Sequence, residues 1–169
     1  MSNALLVLGG ARSGKSRYAQ ARAEALDGEL VFVATAQALD GEMAERIAHH
    51  RDDRGPRWST LEAPVELGAA IRAEAGPGRV LLVDCLTLWT SNLLLADRDI
   101  AAAAGELVHA IGQARGALIF VSNEVGLGIV PDNALARRFR DEAGRVNQQV
   151  AAAAGEVVFV AAGLPLRLK

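Results

Sequence analysis

The chain has 169 residues, a formal charge of −2, and a composition that is 51% hydrophobic but only 4% aromatic. That is enough to bury one core of Ala, Val, Leu and Ile and reads as one domain over residues 1–169; the acidic balance, with no basic stripe, counts against a protein whose main business is nucleic acid. No apolar run is long enough to span a bilayer, and Met1-Ser2-Asn3 leads straight into a strand; the lone Cys85 excludes an internal disulfide or a cysteine-rich metal site, so the expected compartment is the cytoplasm.

Leu5-Leu6-Val7-Leu8 predicts a buried strand. Gly9-Gly10-Ala11-Arg12-Ser13-Gly14-Lys15-Ser16 follows with the spacing G-x-x-x-x-G-K-S of a phosphate-binding P-loop and leads into a helix over 17–26. Gly9 and Gly14 allow backbone that a side chain would block, so that consecutive N–H groups can face phosphate oxygens. The helix N-terminus adds partial positive charge at the same place. Lys15 can reach the outer phosphates, and the Ser16 hydroxyl can hold Mg²⁺. The pattern predicts binding of a nucleoside triphosphate.

The helix is expected to end near Asp27-Gly28, and residues 30–34 are wholly apolar, as in a parallel strand covered on both faces. Thr35-Ala36-Gln37 then lies at the strand's C-terminal end, where open α/β sheets bind ligands. Asp40 is a plausible N-cap for a helix over 42–50. Met43, Ile47 and His50 share one face of it, while His49 falls with Glu42, Glu45 and Arg46. If the apolar face packs, His50 points toward the protein and His49 toward solvent; periodicity alone makes them a packed and a surface histidine. Residues 51–56 read as a charged turn and 57–61 as a short strand before Glu62. Pro64 suits the first position of a helix ending at Gly76.

Val80-Leu81-Leu82-Val83-Asp84 resembles a Walker B strand, whose terminal carboxylate steers Mg²⁺. Cys85 reads as a small packed residue rather than a nucleophile. A short helix over 87–96 carries Trp89. An amphipathic one follows Asp99, with Ile100, Leu107 and Ile111 inward, His109 structural and Gly116 ending it. Residues 117–121 form the next strand and run into Ser122-Asn123-Glu124. The 123–131 stretch combines two glycines and a proline with four apolar residues, so it is either a substrate surface or a buried connection. Asp132 is expected to cap a long helix whose Leu135, Phe139, Val146 and Val150 share a face, with its arginines mostly solvated. Strand 157–161 and a turn through Gly163-Leu164-Pro165 precede a last strand, 166–169. That turn is too short for a parallel crossover, so the last strand should be antiparallel. The expected architecture is an α/β three-layer P-loop (RecA-like) fold with a mostly parallel sheet of about seven strands.

Several of these stretches together resemble one family, the bifunctional adenosylcobinamide kinase / adenosylcobinamide-phosphate guanylyltransferase of cobalamin synthesis. They are the P-loop at 9–16, Asp40-Gly41-Glu42-Met43 leading to His49-His50-Arg51, and Val83-Asp84-Cys85-Leu86-Thr87-Leu88-Trp89. The stretch 123–131 with Arg138-Phe139-Arg140-Asp141 and Gly144-Arg145-Val146-Asn147-Gln148 completes the pattern. The resemblance implies two reactions on one corrinoid. ATP or GTP phosphorylates the hydroxyl of adenosylcobinamide; then a histidine attacks the α-phosphorus of GTP, releases pyrophosphate and passes GMP to the corrinoid phosphate. It places the nucleophile at His50, the histidine the helical face also turns inward, with His49 as the fallback. It implies guanine-nucleotide contacts from Ala34, Thr35 and Ala36, from Arg51, Asp52, Asp53 and Arg54, and from Glu62 and Asp84, with Ser16 and Asp84 holding Mg²⁺. It also implies a homotrimer in which one subunit can complete another's corrinoid site. Glu124, acidic and at a strand end, is a candidate base for the hydroxyl. The competing readings are a P-loop small-molecule kinase without a covalent intermediate and a RecA-like nucleic-acid-dependent ATPase; the acidic balance counts against the second.

Overall fold

Apolar runs alternating with helices favour a parallel sheet, because each parallel connection needs a crossover long enough to hold a helix. The computed structural model describes residues 2–37 and 55–169. Its strands are β1 (Ala4–Gly9), β2 (Glu29–Ala34), β3 (Trp58–Glu62), β4 (Arg79–Asp84), β5 (Ala117–Asn123), β6 (Glu156–Ala161) and β7 (Leu164–Arg167). They form one sheet in the order β3-β2-β4-β5-β1-β6-β7. Every neighbouring pair is parallel except β6 with β7. The helices are α1 (Lys15–Glu24), α2 (Leu67–Glu74), α3 (Leu86–Leu95), α4 (Ile100–Gln113) and α5 (Ala134–Ala153).

Alternation along the strands divides the core in two. Leu6, Leu8, Val31, Val33, Leu81, Val83, Leu118 and Phe120 face α2, α3, α4 and α5. Leu5, Val7, Leu30, Val80, Leu82, Ile119 and Val121 face the other way, against Ala19 and Ala23 of α1. Trp89 is fully buried on the four-helix side, and its indole N–H donates to the Val65 carbonyl at 2.7 Å. The expected three-layer α/β fold is therefore present, with the antiparallel last strand.

Several boundaries differ from the sequence reading. Helix α1 stops at Glu24, before Asp27-Gly28. Helix α2 begins at Leu67, not Pro64, because Asn92 Nδ2 holds the Pro64 carbonyl at 2.9 Å and the Trp89 indole holds that of Val65. Helix α4 ends at Gln113, short of Gly116, and Asp99 caps it as expected, accepting from the Ala102 N–H at 3.0 Å. The cap of α5 is Asn133, whose Oδ1 accepts from the Ala136 N–H at 2.8 Å, not Asp132. Strand β7 starts at Leu164 because Ala162 (φ 51°) and Gly163 (φ 79°) make a two-residue turn, both in the left-handed region. The helix expected over 42–50, with Asp40, His49 and His50, lies outside the described residues.

Candidate active site

The parallel register brings the C-terminal ends of the inner strands to one edge. Gly9 pairs with Asn123 of β5 and with Val160 of β6, Ala34 pairs with Asp84, and Ala34 also pairs with Glu62. The residues expected to contact nucleotide at 9–16, 34–36, 62 and 84 therefore share one rim of the sheet. Arg51, Asp52, Asp53, Arg54 and His50 lie outside the described residues.

The loop after β1 has the geometry its glycines predict. A Cβ on Gly9 would lie 2.5 Å from Ser13 Oγ and 2.6 Å from the Val160 carbonyl, so only glycine fits under the loop. Arg12 (φ 55°) and Gly14 (φ 93°) take the left-handed backbone that turns the loop into α1. The Ser13 N–H donates to the Gly10 carbonyl at 3.3 Å, and the Gly163 N–H donates to the Ser13 carbonyl at 2.8 Å, so the β6–β7 turn props the loop from beneath. Lys15 folds back over it, with Nζ donating to the Gly10 carbonyl at 3.2 Å. The first turn of α1 carries no acidic residue and no side-chain cap, which leaves its positive end uncompensated. Ser16 is exposed at that end, and the buried Ser13 Oγ has no hydrogen-bond partner. Such an arrangement can cradle an anion with several oxygens.

Thr35 has a different use. Its hydroxyl donates to the Cys85 carbonyl at 2.8 Å and accepts from the Cys85 N–H at 2.7 Å, and Asn92 Nδ2 donates to its carbonyl at 2.8 Å. The side chain is thus occupied in tying β2 to the β4–α3 connection, directly beside Asp84. Cys85 is buried, and its Sγ accepts from the Leu88 N–H as the cap of α3. Burial, and secondly the Asp84 charge, push its thiol pKa up, the opposite of what a nucleophile needs.

On the far side of the P-loop the chain leaves β5 as the 124–131 loop. The Glu124 N–H donates to the Gly9 carbonyl at 3.1 Å, and its carboxylate accepts from the Gly126 N–H at 2.7 Å, so this carboxylate shapes its own loop. Leu127 (82% exposed), Ile129 (97%) and Val130 (63%) stand out from the surface, so the loop is no buried connection. Arg137 of α5 donates to the Pro131 carbonyl at 2.9 Å and closes the loop onto the helix, while Arg140 and Arg145 pair locally with Asp141 and Glu142.

A group that motif reading passed over lies under this rim. Thr87, Ser122 and Asn147 are all buried and bonded to one another and to the Asn123 peptide. Each directly follows a buried apolar residue, Leu86, Val121 or Val146, and that polar interruption of a core face was the available signal.

A family model described as cobinamide kinase / cobinamide phosphate guanyltransferase matches residues 5–168. The chain is 52% identical over 167 residues to the bifunctional adenosylcobalamin biosynthesis protein CobP of Pseudomonas aeruginosa, covering 97% of this chain and 96% of that one. It is 44% identical over 183 residues to the bifunctional adenosylcobalamin biosynthesis protein CobU of Escherichia coli, covering 98% and 99%. Among solved structures, a prototypical ATPase from the type III secretion system of pathogenic bacteria superposes with a TM-score of 0.57 at 10% identity. It covers 98% of this chain and 57% of that one, a likeness of fold alone.

Proposed function

The chain belongs to the cobinamide kinase / cobinamide phosphate guanyltransferase family and is a transferase of that bifunctional kind; we propose that a single P-loop serves both of its reactions, with a covalent guanylyl-histidine between them. In the first, the γ-phosphoryl group of ATP or GTP passes to the hydroxyl of adenosylcobinamide. In the second, His50 attacks the α-phosphorus of GTP, pyrophosphate leaves, and the corrinoid phosphate displaces the imidazole to give adenosylcobinamide-GDP.

The observation that carries this reading is the cradle of residues 9–16, with Lys15 bent over the Gly10 carbonyl and the uncapped start of α1 beneath it. Its N–H groups and the Lys15 ammonium would take the phosphates and stabilise charge that builds on the transferring group. Ser16 and Asp84 offer oxygen donors from the helix start and the end of β4, a set that fits Mg²⁺, which favours one or two protein oxygens beside the phosphates. Bound there, Mg²⁺ would offset phosphate charge. Ala34 and Ala36 would meet the nucleotide next to the tied Thr35, with Glu62 at the adjoining strand end and residues 51–54 following the nucleophile. The exposed apolar 124–131 loop is the surface for the corrinoid, and we infer a homotrimer, as the family resemblance implies, acting in the cytoplasm.

GTP labelled at the α-phosphate tests the covalent step. Wild-type protein should retain acid-labile, base-stable label, and His50→Ala should retain none while keeping much of its kinase activity. Absence of label in the wild type would leave a P-loop kinase without a covalent intermediate, and label in His50→Ala would move the nucleophile elsewhere. Lys15→Ala should lower both activities by at least tenfold.

A further inference from the structure

Around the Asn123 peptide, at the end of β5, the polar groups close into a ring. The Asn123 N–H donates to Thr87 Oγ1 at 2.7 Å. The Thr87 hydroxyl lies 3.3 Å from Ser122 Oγ, which in turn donates to Asn147 Oδ1 at 2.7 Å. Asn147 Nδ2 completes the ring by donating to the Asn123 carbonyl at 3.3 Å. Because Ser122 gives its proton to Asn147, the donor in the Thr87–Ser122 contact is Thr87, and the four bonds then point the same way. The four bonds run as one directed chain from the Asn123 N–H to the Asn123 carbonyl, closed covalently through its Cα, and such chains polarise their members and hold one geometry. Thr87 comes from α3, Ser122 from β5 and Asn147 from α5, so the N–H and the C=O of Asn123, which belong to consecutive peptide groups, are both held by helices that pack on the same side of the sheet.

An apolar core needs no such ring, since burying hydroxyl and amide groups is costly unless each is satisfied. What the ring fixes is direction. The next residue, Glu124, is bonded to the Gly9 carbonyl and opens the 124–131 loop. We propose that Asn147, with Thr87, is a positioning residue for the acceptor: by clamping the Asn123 peptide it sets where the 124–131 loop stands against the P-loop, and so where the corrinoid hydroxyl meets the γ-phosphate. The inference rests on the reading that this loop carries the acceptor.

The test uses the full chain with Thr87→Val, which keeps shape and removes the hydroxyl, Thr87→Ser, which restores it, and Asn147→Ala. Ile129→Ser reports on the loop itself. Affinity for a fluorescent nucleotide, kcat and KM for adenosylcobinamide in the kinase reaction, and the urea midpoint are read for each. Thr87→Val and Asn147→Ala should raise KM for the corrinoid about tenfold or cut kcat by as much, with nucleotide affinity within about twofold of wild type. Thr87→Ser should return to near wild type. If Asn147→Ala does not fold, the Thr87 pair decides. Corrinoid parameters unchanged in Thr87→Val while Ile129→Ser raises KM would overturn the clamp and leave the acceptor surface standing. No change in any of them would remove the acceptor surface itself. A fall in nucleotide affinity parallel to the loss of activity would reduce the ring to general stability.

Discussion

Gly9 and Gly10 stand side by side and differ in what surrounds them. A Cβ at Gly9 would meet Ser13 Oγ and the Val160 carbonyl, and the carbonyl belongs to a paired strand that cannot move aside. At Gly10 nothing lies within 4 Å. Gly9→Ala should therefore cost about 1–3 kcal/mol by overpacking. It should also weaken nucleotide binding at least tenfold, because the Ser13 side of the cradle must shift. Gly10→Ala should keep the stability of wild type. Urea unfolding and titration with a fluorescent nucleotide check both, and equal behaviour of the two variants would contradict the packing seen under the loop. At this scale the cradle was legible because its residues are contiguous and the motif spacing itself encodes the backbone. The ring was not, because Thr87, Ser122 and Asn147 are joined across 35 and 25 residues of sequence and no spacing rule links them. The occupied state of Thr35 was hidden for the same reason, since its partner Cys85 is 50 residues away.

Among the elements, the strands and the 124–131 loop were readable and the helix starts less so. Wholly apolar runs locate buried strands, and two glycines with a proline locate an irregular loop. Asp132 and Asn133 are both good caps, however, and only the bond from the Ala136 N–H chooses between them. Ala162 in the left-handed region gives no hint in its side chain, so the last strand begins at Leu164, two residues before the sequence places it. The loop itself supports a prediction. Leu127 and Ile129 are 82% and 97% exposed, so replacing either with serine removes almost no buried surface and should change stability by less than about 0.5 kcal/mol. On the acceptor reading, the same changes should raise KM for adenosylcobinamide about tenfold and leave nucleotide affinity alone. Steady-state kinetics with varied corrinoid decide it, and an unchanged KM in both variants would sink the role given to the loop.

For the whole molecule, the two faces of the sheet are unequally covered among the described residues. Four helices pack on one; the other cluster takes its helical members from α1 alone. Helix α1 is therefore the piece through which the phosphate cradle is joined to that side of the core, and it is pinned at both ends. Its start is fixed by the P-loop. Its last turn is fixed by Arg22, whose guanidinium donates to both Glu156 oxygens at 3.0 and 2.7 Å and to the Tyr18 hydroxyl at 2.8 Å. Glu156 opens β6, the strand that also lies against Gly9. The Arg22 hydrogen bonds hold the Glu156 carboxyl below the usual carboxylate range, and burial opposes this only in part. A carboxyl lowered in the folded state adds stability that is present above its unfolded pKa and is lost as pH falls through the lower, folded value. Arg22, raised by the same pairing, stays charged throughout. Both side chains are partly exposed, so the pair is expected to contribute only about 0.5–1 kcal/mol near neutral pH. Glu156→Gln, which cannot ionise, should be less stable than wild type by that amount at neutral pH, and the gap should close as pH falls below the ordinary glutamate range and the wild-type carboxylate protonates. Urea midpoints taken across that range read the difference directly. A gap that held constant into acid would mean that the difference does not come from the Glu156 charge, and the electrostatic tie between the cradle helix and β6 would give way to the packing of Ala19, Ala23 and Tyr18 against Val158 and Val160.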